Sequence, residues 1–324
     1  MPLAHRIDLT APPPHSLVWQ GDRLVDWASG GTRYHLDGTF HSSITPPWAS
    51  FDAALSTLDG TYVVIYERLG TQGLLLRDGQ ILRELHRGDN HADAYEYPVA
   101  LTRLADGRAI VAHCPDEYNI LEFEDAMTGE RLTSRVGPRS DFFHSRLRFS
   151  PGGRRLLSAG WVWHPWDSLA VYDVQDVLLH PTSLDQLPSI KSVLAYPEET
   201  RSADFLTDDT LVSAMDPESD GTARTLLSTF DLKRNAVTQA LHIPAALGTI
   251  WALGSDVLAL YGWPRLYDRQ TGALLAQWPE LKSGQQDSSI IHHLERPAPC
   301  AVDRQGMRFA LGTQTGVTVI QLST

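Results

Sequence analysis

A tight turn that recurs along the whole chain constrains this sequence more than any other feature. Each copy follows a short apolar stretch, at Gly21-Asp22, Asp59-Gly60, Asp106-Gly107, Gly152-Gly153, Asp208-Asp209, Gly254-Ser255-Asp256 and Arg304-Gln305-Gly306. Asp-Gly and Gly-Gly between apolar runs are strong hairpin signals, because the turns they form need positive φ. The seven turns are spaced by roughly 40–55 residues. A period of that length marks repeated supersecondary units rather than one layered domain.

After each turn comes a strand in which small residues alternate with β-branched ones, as in 61–66, 109–112, 211–214, 257–260 and 308–311. That composition suits a strand buried on both faces. A third strand follows and often ends in an acid, as at Asp125, Asp173, Asp231 and Asp268. Turn residues such as Thr128-Gly129 and Thr271-Gly272 then lead to an outer strand, for example 131–133 or 273–278. In the fourth repeat a leucine-rich segment, 174–188, separates the third strand from the fourth and reads as a packed loop or short helix.

The segment from Phe149 to Gly160, continued by Ser168–Val174, resembles a WD40-type β-propeller repeat, and Leu266–Trp278 resembles the end of one. Two signatures of that family differ here. Its Gly-His pair is absent, and Tyr172-Asp173, Phe230-Asp231 and Tyr267-Asp268 stand where it has Trp-Asp. The resemblance runs from about residue 3 to residue 322. It implies an all-β, seven-bladed propeller with four-stranded antiparallel blades, filling 1–324 as a single domain. The last repeat stops after its third strand, 316–322, while the chain opens with an unpartnered strand-like piece, 3–9. The N-terminal strand is therefore expected to complete the last blade and close the ring, leaving only short edges.

Composition narrows the functional classes. The formal net charge is −12, with lysine only at positions 191, 233 and 282. This argues against a nucleic-acid-binding surface, which needs clustered Lys and Arg. Cys114 and Cys300 sit in different repeats and read as free thiols rather than a disulfide framework. No basic segment followed by an apolar run opens the chain, and no apolar stretch approaches a membrane span. The expectation is a soluble, cytoplasmic protein, monomeric on its own, with no membrane partner.

Propeller topology implies that the loops between second and third strands share one face, the top, with those between blades. The unusual loops fall there. Trp161, Trp163, His164 and Trp166 cluster in one; Tyr95, Tyr97, Asp93 and Glu96 lie in 86–98. Asp116 and Glu117 follow His113-Cys114, Trp263 lies in 261–264, and a polar insert runs from 279 to 297. Over these inferred loops, 13 acids stand against five bases. Aromatic anchors with excess acid suit a basic protein partner. The eleven candidate contact residues are thus Trp161, Trp163, His164, Trp166, Tyr95, Tyr97, Trp263, Asp93, Glu96, Asp116 and Glu117.

No phosphate-binding loop, nucleophile elbow or paired-cysteine zinc spacing is present. The leading reading is a non-enzymatic interaction module, a scaffold, regulatory or neutralising subunit, with no cofactor and no catalytic metal. The alternative is a hydrolase of the lactonase-like propeller type, with a metal at the central channel held by residues such as His113, Cys114, Asp116, Asn119 and Asp216.

Overall fold

A computed structural model describes residues 4–42, 50–163, 166–186, 199–216 and 225–323. Its strands form seven antiparallel sheets arranged as the blades of a ring. All seven expected turns join the first strand of a blade to the second. Blade 1 covers Val18–His41, blade 2 Ala53–His86, blade 3 Val99–Asp125 and blade 4 Leu147–Asp173. Blades 5 and 6 cover Glu199–Ile243 and Ile250–Gln277. Blade 7 takes Cys300–Asp303, Arg308–Thr313 and Gly316–Leu322 from the end of the chain and Ala4–Thr10 from its beginning.

The closing seam runs antiparallel through seven register pairs, from Ala4 opposite Leu322 to Thr10 opposite Gly316. Gly316 sits at φ 133°, and a Cβ there would run into the Leu9 carbonyl, so this end of the seam needs a residue without a side chain.

The hydrophobic core is divided among the blade interfaces. Seven apolar clusters each join two consecutive blades. The second strands supply most of them: Val63, Val64, Ile65, Ile110, Val111 and Ala112 are fully buried, as their composition predicts. The acids ending the third strands also have a local cause. The Asp268 carboxylate accepts from the backbone of Gln270 and Thr271, at 2.8 and 2.7 Å. Asp125 and Asp231 close their turns in the same way, while Asp173 caps a helix, Val174–Leu179. A 3₁₀ turn, Pro181–Asp185, follows it and packs the expected leucine-rich segment through Val177 and Leu184.

Blade 3 departs from expectation at 131–133. Among the described residues no outer strand forms there, only a bridge between Glu124 and Arg131. The reason is a side chain in place of backbone: the Phe123 N–H donates to Thr133 Oγ1 at 2.8 Å, and that hydroxyl donates to Glu122 at 2.6 Å.

Candidate functional site

The second strand of blade 4, Arg155–Val162, rises to the top face and delivers Trp161 and then Trp163. Gly160 makes this possible, because a Cβ there would collide with the Phe143 carbonyl. Phe143 lies flat on Trp161, ring centroids 3.7 Å apart, and Tyr118 lies flat on the other side of Phe143 at 3.9 Å. The buried Tyr95 meets this stack edge-on. Trp161 is only 3 % exposed, whereas Trp163 is 55 % exposed and stands beside the exposed His91 at 5.7 Å. Stacked rings thus form a floor under one projecting indole.

A buried arginine shapes the neighbouring loop. The Arg87 guanidinium donates to the carbonyls of Gly70, Ala92, Tyr95 and Glu96. It also sits 4.7 and 5.1 Å from the ring centroids of Tyr95 and Tyr97, which are both buried. Arg87 is one of the five bases on the inferred top loops, and nothing local in the sequence tells its buried guanidinium from an exposed one. Tyr95, Tyr97 and Trp161 therefore act as supports beneath the surface. Trp166 is half-buried, and Trp263 is half-buried on blade 6, donating to Gln277 at 3.3 Å. His164 lies outside the described residues.

Much of the top-face acid is already engaged. Asp116 pairs with Arg131 at 2.6 Å, Asp141 accepts from Tyr118 at 2.8 Å, and Glu280 pairs with Arg6. Asp167 is buried and contacts Arg201 and Ser289. Glu96 turns toward Arg68 in the central channel. Around the aromatic corner, the acids left exposed without an ion pair among the described residues are Asp89, Asp93 and Glu117. The Asp141 hydrogen bond and burial together push the Tyr118 hydroxyl up to about 12, with burial the larger cause.

The insert after blade 6 crosses the top of the ring. Ser283 and Gly284 bond to Gly262 of blade 6. Ser289 bonds to Asp167 of blade 4, Ile290 bridges Tyr95, and the Ile291 N–H donates to Ala94 at 2.8 Å. Arg296 then reaches Asp52 beside blade 2. This strap overlies a channel of about 750 Å³ on the ring axis, lined by the inner strands of the blades and by Ser283, Gln286 and Pro297 of the strap.

Of the residues considered as metal ligands, His113, Cys114, Asp116 and Asn119 are not part of the channel lining, and the Asp216 side chain lies outside what is described. His113 contacts Glu124 at 3.2 Å inside blade 3, Cys114 lies in the core between blades 3 and 4, and Asn119 donates to Ser140. Among the described residues no group of three or more His, Cys, Asp or Glu side chains is placed to hold a metal ion. No described helix is long and apolar enough to cross a membrane.

Fold and site together define a seven-bladed β-propeller with a strapped channel and an aromatic corner on its top face. No protein-family model matches the chain, and no curated protein sequence matches it. Solved structures do. The chain is similar to the Kuenenia stuttgartiensis hydrazine synthase structure at 14 % identity and TM-score 0.59, with 96 % of each chain covered. It is similar to the Dos1 propeller at 10 % identity and TM-score 0.57, covering 98 % of this chain and 93 % of that one. A chain of the mitotic checkpoint complex matches at 9 % identity and TM-score 0.57, with 100 % and 96 % covered. At these identities the likeness is one of fold, and WD40-type propellers are among the neighbours.

Proposed function

We propose that the protein is a non-enzymatic interaction module whose aromatic corner above blades 3 and 4 receives a basic segment of another protein. The single observation that carries this reading is Trp163, 55 % exposed above the stacked Trp161, Phe143 and Tyr118. A large aromatic on a rigid floor loses little side-chain freedom on binding, which is the character of an interface anchor. Asp89, Asp93 and Glu117 around it favour a cationic approach. Solved complexes among the fold neighbours support protein partners in general.

The test uses immobilised full-length protein to capture partners from native cell extract, then measures the affinity of the purified partner. Trp163→Ala should weaken binding by about thirtyfold or more, the usual cost of losing a central tryptophan. Asp93→Asn should chiefly slow association at low salt. Unchanged affinity for folded Trp163→Ala and Trp166→Ala would refute this placement.

A further inference from the structure

Five arginines and four carboxylates line the channel beneath the strap, in a chain whose net charge is −12. Arg68, Arg146 and Arg148 all belong to the lining of this one cavity. Arg68 has Glu96 and Asp52 near it, and Arg146 has Asp167 and Glu96. Glu96 is 4.0 Å from Arg68, and the fully buried Asp204 is shared by Arg148 and Arg304. Asp52 pairs with Arg296 and also accepts from the Arg68 backbone N–H at 2.6 Å.

Arg68 Nε, Arg146 Nη2 and Gln286 Nε2 are buried atoms without a hydrogen-bond partner, on residues that line this cavity. Each of these groups can donate, and buried donors in folded proteins are normally satisfied. Arg148 is held face-on by Trp251, its guanidinium carbon 3.5 Å from the ring centroid, so its fork is fixed rather than swinging.

We propose that the central channel binds a small organic anion, recognised through carboxylate or phosphate oxygens by Arg68, Arg146 and Arg148, with Gln286 as a neutral donor. Planar guanidinium forks match the paired oxygens of such groups. With the top crossed by the strap, the ligand enters from the opposite face, whose rim carries Leu58, Asp59, Pro151 and Gln305. This site is separate from the aromatic corner and stands or falls without it.

The experiment is calorimetric titration and thermal melting of the full-length protein with inorganic phosphate and with succinate, each against sodium chloride at matched ionic strength. One of the two anions should bind once per chain with a dissociation constant of ~1 mM or tighter; the stronger arm separates a phosphate from a carboxylate ligand. Arg68→Gln should weaken that binding about tenfold or more, the scale of one charge-assisted hydrogen bond. Gln286→Glu replaces an unpartnered donor with a carboxylate that repels an anion, so it should weaken binding about tenfold or more, with the melting temperature of the unliganded variant reporting that it folds. Trp163→Ala should bind the anion as the parent does. If neither anion binds beyond chloride, or if Arg68→Gln and Gln286→Glu bind it unchanged, the proposal is overturned.

Discussion

Replacing Leu9 by alanine tests the ring closure at its tightest point. Leu9 is 4 % exposed and packs with Val317 and Val319 of blade 7 and with Leu17, Leu24 and Tyr34 of blade 1. One side chain thus ties the closing strand to the blades on both sides. Truncating a buried leucine costs ~2–5 kcal/mol, according to how far the site collapses. Collapse is restricted here because both walls belong to a closed ring, so Leu9→Ala should cost ~3 kcal/mol. Arg6→Ala on the same strand is the control. Arg6 is 40 % exposed in its pairs with Asp8 and Glu280, and exposed ion pairs contribute ~0–1 kcal/mol. Deleting residues 1–10 removes all seven register pairs; it leaves Gly316–Leu322 as an open edge prone to pairing with other chains. The assay is urea unfolding followed by tryptophan fluorescence, with size-exclusion chromatography for the deletion. Equal unfolding midpoints for Leu9→Ala and the parent, or a deletion variant that stays monomeric and melts as the full chain does, would show that the seam carries no stability.

Asp204→Asn should cost ~3–5 kcal/mol, because it leaves Arg148 and Arg304 without their buried counter-ion; the urea midpoint checks this. Trp161→Ala should destabilise by ~3–5 kcal/mol as a core truncation, and Trp163→Ala by no more than ~0.5 kcal/mol as a surface one. Equal thermal shifts for the two would contradict the stacked floor. His144 is fully buried, and desolvation, helped by Arg135, lowers its pKa from 6.5 to about 3. Below pH 6.5 the unfolded chain takes up a proton that the folded chain refuses until about pH 3. Stability should therefore fall with decreasing pH, by ~1.4 kcal/mol per unit in that window. His144→Gln should flatten the decline between pH ~6.5 and ~5, as measured by urea midpoints across that range.

The turns, the doubly buried second strands and the closing strand were all legible in the amino-acid order. Positive-φ turns and strand alternation are chemistry between near neighbours. Closure followed from a last repeat one strand short, completed by Ala4–Thr10. Even the acids ending the third strands act within three residues, as Asp268 does on Thr271. The candidate site was legible only in part. Sequence put aromatics and acids on the top loops, but burial separated Trp163 from Trp161, Tyr95 and Tyr97, and ion pairs engaged Asp116 and Glu96. Those outcomes depend on which loops the ring brings together. Ser289 meets Asp167 across 122 positions, and Arg304 meets Asp204 across 100. Blade repetition sets the local frame. Only closing the frame around an axis could place the strap over the mouth and gather Arg68, Arg146 and Arg148 along one channel, because separation along the chain carries no record of distance across a ring.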